Sequence, residues 1–391
     1  MKRSLLIVLT VISFSYASLF SQVTNDTTFY LLTCDPGLET YSVYGHSALR
    51  VVIPGIQTDV VYNWGVFDFN TPNFAWKFAK GRLDYMLGVY PYNRFLRDYM
   101  MENRAVISQT ISLEPVEKLR LMLLLQENMK PENRYYRYDF FYDDCSTRIR
   151  DLIEKILGDK LIYPPDQSNN TPAFREKIGS HLIMFPWLKM GIDLLMGTPG
   201  EKKTSFRDRM FLPEDLQRNL TQAVVNRDRK MVPLLQPSVT ILDFPPPDVK
   251  HGFYETPVFV FTILFVLLVV ISAWLRNSVV MNYIDMALFL AFSVLSILMI
   301  FFNFFTDHQQ MRLNLSMIWF NPFIILCLYP LITGKKSYLL FRLVFFLALL
   351  FIPLIIILPN AINSSFVPVI LILILRSSAR CGFQWNPLNL T

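Results

Sequence analysis

The sequence predicts an α+β domain joined to an α-helical membrane bundle of about five crossings. Three observations lead there. Charge is concentrated before about residue 250, and long apolar runs follow one another after it. The charged part alternates short β-branched or aromatic runs with helical periodicities. The chain opens with Lys2 and Arg3, an apolar stretch over 5–11 and small residues at Ala17, Ser18 and Ser21, which is the pattern of an export signal.

The membrane part follows from length. A helix needs about 20 apolar residues to cross a hydrocarbon core of ~30 Å. Runs at 259–275, 284–305, 315–332 and 338–358 qualify, and 361–375 is a shorter fifth crossing. The chain thus divides into a signal peptide (1–21), a domain over 22–158, an accessory segment and linker (159–250) and a transmembrane domain (251–391). A retained anchor is the alternative reading of 1–21.

Charge asymmetry gives orientation independently. If 22–255 lies outside the cytoplasm, Arg276, Lys335, Lys336, Arg376 and Arg380 all fall on the cytoplasmic side. The opposite connections, 306–314 and 359–365, hold only Arg312. That is the positive-inside pattern, and it predicts a multi-pass inner-membrane protein with its N-terminal domain in the periplasm. The chain has 52% hydrophobic and 17% charged residues. Its pI of about 9.0 requires no nucleic-acid partner, because much of the excess charge borders the membrane or lies in the exported part.

In the exported part, 29–33, 46–53 and 59–64 read as strands. Asp35-Pro36-Gly37 and Pro54-Gly55 are turns between them. Stretches 73–80 and 91–103 read as helices. The run 105–113 returns to strand, with Ile107, Gln109 and Ile111 alternating against Ser108, Thr110 and Ser112. Glu114-Pro115 opens a helix over 116–128. Ile149, Leu152, Ile153 and Ile156 recur at helical spacing in 145–157, which Gly158 ends. Segment 159–245 is rich in proline and mixed charge, with a helix at 187–196, and Phe244-Pro245-Pro246-Pro247-Asp248 is a stiff linker.

Chemistry centres on Cys145 and His46. A cysteine that opens a helix meets unpaired N–H groups and a dipole that favour its thiolate. His46 heads a strand after Gly45 and is the candidate base. Asn63 on the next strand is a candidate to orient the imidazole. Arg148 and Arg150 add positive potential, whereas Asp143 and Asp144 oppose the thiolate unless turned away or paired. Pattern alone leaves the bland reading open, with Cys145 a buried helix-start residue and Asp144 its N-cap. The tyrosines and phenylalanines 135, 136, 138, 140, 141 and 142 are either core packing or the lining of a lipid-facing groove. Cys34 and Cys145 face an oxidising compartment, so a structural disulfide is the other reading of that pair. Cys327 is a small hydrophobe in a crossing, and Cys381 has no evident role. There is no metal-ligand spacing, phosphate loop or serine-nucleophile elbow, and no metal or cofactor is expected.

The order His first, Cys later, with Cys opening a helix, resembles the circularly permuted papain-like enzymes, including the lecithin:retinol acyltransferase type. More specifically the chain resembles the thiol-dependent lipoprotein N-acyltransferase family called Lnb. Four periplasmic stretches carry the likeness: Leu-Leu-Thr-Cys-Asp-Pro-Gly (31–37), Tyr-Gly-His-Ser-Ala-Leu-Arg (44–50), Tyr-Asn-Trp-Gly-Val-Phe-Asp-Phe (62–69), and the block 131–151 that ends Phe-Phe-Tyr-Asp-Asp-Cys-Ser-Thr-Arg-Ile-Arg-Asp. Thr-Asp-His (306–308) and Asn-Leu-Ser-Met-Ile-Trp-Phe-Asn-Pro (314–322) continue it in the membrane part. Asp144 departs from the Asn expected in many relatives, which bears on the thiol's electrostatics.

The resemblance implies a permuted papain-like fold and a defined reaction. Cys145, with His46 as base, takes an acyl chain from a membrane phospholipid as a thioester and passes it to the N-terminal amine of a diacylglyceryl-cysteine lipoprotein. His308 and Arg312, on the outer connection, are candidates for headgroup contact. Two alternatives stand beside it: a membrane-tethered cysteine amidase or peptidase acting on cell-wall peptides, and a non-enzymatic envelope assembly module with Cys34 bonded to Cys145.

Overall fold

The computed structural model describes residues 26–166, 171–250, 252–275, 278–357 and 362–382. The predicted signal at 1–21 lies outside them. Internal contacts divide the chain into two units. One holds the described residues up to Thr171 together with Thr204–Asp248, and the other holds Pro172–Lys203 with the chain from Val249 onward. Segment 159–250 is therefore shared between them.

The first unit is built on β1 (Thr28–Cys34), β2 (His46–Ile53), β3 (Thr58–Val66), α1 (Phe74–Ala79), β4 (Asp84–Pro91), α2 (Tyr92–Met101), β5 (Val106–Thr110), α3 (Pro115–Met129), β6 (Tyr135–Arg137) and α4 (Cys145–Leu157). After them come β7 (Leu161–Ile162), β8 (Val224–Arg227), β9 (Lys230–Pro233) and β10 (Val239–Leu242). Seven strands form a sheet in the order β10-β5-β1-β2-β3-β4-β6, and β7-β8-β9 form a small second sheet. All described pairings are antiparallel.

Both faces of the central strands are covered, so adjacent positions of β1 serve different cores. Leu31, Leu49, Val51 and Trp64 pack with Leu121 and Leu125 of α3 and with Ile149, Ile153 and Ile156 of α4. Leu32, Cys34, Ala48 and Val61 pack with Phe95 and Tyr99 of α2. Covering both faces explains the near-continuous apolar runs of β1 and β2. α4 is the amphipathic helix its spacing predicts, and its N-terminus is held where β2 begins.

β4 is a strand that the sequence pattern hides. Gly88 interrupts it and Pro91 ends it. β10 comes from the segment read as accessory, ahead of the linker, and pairs with β5 with an irregularity between Thr240 and Leu242.

In the second unit, four stretches are long and apolar enough to cross a membrane: Pro257–Trp274, Val279–Phe304, Leu315–Thr333 and Tyr338–Ile355. The fifth predicted crossing maps to a shorter apolar helix. The fifth apolar helix, Phe366–Ser378, has 13 residues, about 20 Å at 1.5 Å per residue, short of a full core. At its start the Asn363 side chain accepts from the Ser365 N–H at 2.9 Å.

The third stretch is broken rather than continuous, running as Leu315–Ile318, Phe323–Leu326 and Leu328–Thr333. At the break Asn321 donates to the Ile318 carbonyl at 3.0 Å and accepts from Phe323 N–H at 3.1 Å. These bonds satisfy backbone groups that the interruption frees, as an apolar environment demands.

Two buried polar clusters tie this unit together. Asp285 has no exposed surface and accepts from Arg376 Nε at 2.6 Å and Arg380 Nε at 2.7 Å. Arg376 also reaches Ser272 at 2.6 Å, so one carboxylate joins three helical segments. Elsewhere Asn314 donates to the carbonyls of Leu194 and Leu195, and Asn363 donates to Asp193. Those bonds explain why 172–203 groups with the apolar helices.

Candidate active site

Cys145 is the first residue of α4, and Asp144 is its cap. The Asp144 carboxylate accepts from the N–H groups of Ser146 at 2.9 Å and Thr147 at 2.8 Å. Thr147 Oγ1 accepts in return from Asp144 N–H at 2.7 Å. This reciprocal box fixes the helix start and leaves the cysteine side chain on the first turn. The structural reading of Asp144 therefore holds, and it places the thiol rather than excluding it from chemistry.

The thiol is buried and free, as are those of Cys34, Cys327 and Cys381. Burial pushes its pKa up, while N–H groups of Ser47, Ser146 and Cys145 and the Ser146 hydroxyl stabilise the thiolate and pull it down. The N–H of Ser47 matters most for placement, because Ser47 follows His46 in β2. Ser47 Oγ also lies 3.1 Å from Ser146 Oγ, with both residues fully buried. This contact joins the head of β2, which His46 opens, to the head of α4, which Cys145 opens.

Gly45 makes the entry to β2 possible. It sits at φ +77, and a Cβ there would lie 2.7 Å from the Cys34 carbonyl oxygen. His46 Nε2 is 2.6 Å from Asn63 Oδ1 on β3. An amide oxygen only accepts, so Nε2 carries the hydrogen and Nδ1 keeps its lone pair. Burial lowers the imidazole pKa to about 4, against the raising effect of the Asn63 hydrogen bond. The histidine is thus neutral near pH 7, with one nitrogen available as a base.

The flanking acids are both accounted for. Arg148 holds Asp143 through two bonds, 2.6 and 2.8 Å, so Asp143 is paired away from the thiol. The same guanidinium stacks 3.6 Å above the Tyr136 ring. Burial and the neighbouring Cys145 push the Asp144 carboxyl well above the usual carboxylate range, which favours the neutral acid beside the thiol.

Cys145, His46, Asn63 and Arg148 all fall in the first unit. His308 and Arg312 fall in the second, between Val279–Phe304 and Leu315–Ile318. His308 is half-buried with its ring 6.4 Å from Phe302, and Arg312 is exposed.

Sequence reasoning missed three contributors. Ser47 links the two strand and helix heads, yet its only signal was adjacency to His46. Tyr85 is a cross-strand partner of Tyr136 from the unrecognised β4. Tyr136, read as one of several aromatic residues, has a buried hydroxyl with no hydrogen-bond partner among the described residues.

The fold and site together define a helical membrane protein carrying an α/β domain with a free buried thiol, a neutral imidazole and an orienting amide. Residues 20–166 match the family model for the Lnb N-terminal periplasmic domain, and residues 248–384 match that for the Lnb transmembrane domain. The chain belongs to the Lnb family, and the two matches give it a periplasmic domain followed by a transmembrane domain. No curated protein and no solved structure matches it.

Proposed function

We propose that this protein is a lipoprotein N-acyltransferase of the inner membrane, acting by a Cys145 thioester. The observation that carries the reading is a buried, free Cys145 thiol at the start of α4, tied by the Ser47–Ser146 hydroxyl contact to the strand that His46 opens, with His46 Nε2 held by Asn63. Membership of the Lnb family is consistent with this reaction class.

The steps balance as follows. His46 Nδ1 takes the Cys145 proton as Sγ attacks the ester carbonyl carbon of a phospholipid. The S–C bond forms, the C–O ester bond breaks, and the imidazolium returns the proton to the departing lysophospholipid oxygen. The α-amine of a diacylglyceryl-cysteine then attacks the thioester, forming N–C and breaking S–C, with its proton passing through His46 to sulfur.

The electrostatics suit this sequence. A thiol and imidazole that are both neutral at rest store no reactive thiolate until substrate is bound. An imidazolium of low pKa gives up its proton readily to an alkoxide leaving group. The N–H groups of Ser47 and Cys145, already directed at the sulfur, are suited to a developing oxyanion.

The test is mass spectrometry of a lipoprotein N-terminus from cells carrying the wild-type or the Cys145→Ala protein. A third acyl chain is expected with the former and a free amine with the latter. Equal acylation in both would end the proposal.

A further inference from the structure

A contiguous row of rings leads from the surface of the first unit to the neighbourhood of Cys145. Phe69, 67% exposed, lies 4.9 Å from Phe67 and 5.1 Å from Phe74. Phe67 lies 5.3 Å from Tyr85, and Tyr85 lies 4.7 Å from Tyr138. Tyr138 and Tyr136 both feel the charge of Cys145, and all of these rings except exposed Phe69 share one core with it. Gly65, at φ +89, lets the chain just past Asn63 approach Tyr138, where a Cβ would stand 3.6 Å from its ring. The row therefore ends between the two halves of the candidate site.

The inner end holds the unusual group. Tyr136 is 9% exposed, and its hydroxyl is buried without a partner among the described residues. A buried donor left unpaired costs about 1–3 kcal/mol, so a native structure retains one where a ligand completes it. The ring itself is pinned under Arg148, so the hydroxyl is held in place without being used. Lys77, Lys80 and Arg82 follow or flank the outer end in sequence, and Lys80 lies 5.1 Å over Trp76, which is also exposed.

We infer that this row is the acyl-chain site of the phospholipid donor. The hydrocarbon lies along Phe69, Phe74, Phe67, Tyr85 and Tyr138, and the Tyr136 hydroxyl donates to the carbonyl oxygen at its end. The inference rests on the acyltransferase reading for the identity of the reacting ester. The ring path from Phe69 to Tyr138 is about 15 Å, half of the ~30 Å hydrocarbon core and hence the reach of one leaflet's chain. Lys77, Lys80 and Arg82, close in sequence to the outer rings, complement a phosphate headgroup, and aromatic residues with cations are the usual companions of a lipid interface. A peptide substrate would call for polar backbone partners along the path, and among the described residues the path's one orphan donor is at its inner end.

The test uses full-length Cys145→Ala protein in nanodiscs of phosphatidylethanolamine doped with phosphatidylethanolamine bearing a diazirine on one acyl chain. After illumination, adducts are mapped by peptide mass spectrometry. Labelling is expected on peptides containing Phe69, Phe74, Tyr85 or Tyr138. The double substitution Phe69→Ser with Phe74→Ser should lower that labelling by about tenfold, the effect of losing roughly one buried apolar side chain's contribution. Labelling confined to the helices between 257 and 378 would overturn the site. In the otherwise wild-type protein, Tyr136→Phe should lower kcat by about 10², the usual cost of one oxyanion donor, with KM for the phospholipid and photolabelling unchanged. An unchanged kcat would remove Tyr136 from the site. Photolabelling needs no chemistry, so labelled rings in a protein that transfers no acyl group would sink the acyltransferase reading and leave the lipid site standing.

Discussion

Replacing Asn63 probes the base directly. Asn63→Ala removes the 2.6 Å bond to His46 Nε2 and with it the preference for a hydrogen on that nitrogen. A neutral hydrogen bond of this kind is worth about 0.5–1.5 kcal/mol, so kcat/KM should fall by up to about tenfold, since 1.4 kcal/mol is one decade. Asn63→Asp is the sharper perturbation, because a carboxylate stabilises imidazolium and raises the His46 pKa from its value of about 4. His46 acts as base only when neutral, so activity is lost as pH falls through that pKa. The acid limb of kcat/KM should therefore sit near pH 4 in the wild type and move upward in Asn63→Asp. The assay is steady-state N-acylation of a lipopeptide in nanodiscs between pH 4 and 9. A full rate in Asn63→Ala together with an unmoved acid limb in Asn63→Asp would refute His46 as the base that Asn63 orients.

Other consequences follow from the same geometry. Asp144→Asn keeps an acceptor for the Ser146 and Thr147 N–H groups and replaces an acid already held neutral, so the rate of Cys145 alkylation by iodoacetamide at fixed pH should change little. Asp144→Ala loses the cap and should destabilise by about 1–2 kcal/mol in thermal unfolding. His46 has its pKa lowered from 6.5 to about 4 in the folded chain. The unfolded state therefore binds the proton first as pH falls, and stability is lost between about 6.5 and 4, by up to about 3 kcal/mol. His46→Gln should flatten that part of the stability–pH curve relative to the wild type. In the membrane part, Asp285→Ala strands the Arg376 charge, which is 3% exposed, and should cost about 3–5 kcal/mol in thermal stability. Asp285→Leu with Arg376→Met should recover much of that loss.

Local signals in the sequence picked out the candidate residues but not their setting. Asp-Cys-Ser-Thr announces a capped helix start because caps and first turns depend on neighbouring residues, and Cys145 was legible for that reason. His46 and Asn63 were each legible as polar residues on strands, but their bond depends on β2 and β3 lying side by side in register. Ser47 and Tyr136 were illegible as contributors, since one acts through its backbone N–H and the other through the absence of a partner. β4 escaped notice because Gly88 and Pro91 mimic turn signals. β10 was hidden because its partner, β5, lies more than a hundred residues away. In the membrane part hydropathy located every apolar run, but it could not show that 315–333 breaks at Asn321-Pro322 or that the last helix begins only at Phe366.

The central claim is that Cys145 carries the acyl chain. Intact-protein and peptide mass spectrometry of the full-length protein, quenched in acid after incubation in phospholipid nanodiscs without acceptor, tests it most directly. The predicted result is one fatty acyl group on Cys145, released by hydroxylamine, absent in Cys145→Ala and discharged when a diacylglyceryl lipopeptide with a free amine is added. N-acylation of that lipopeptide with no adduct at Cys145, or with undiminished rate in Cys145→Ala, would contradict it.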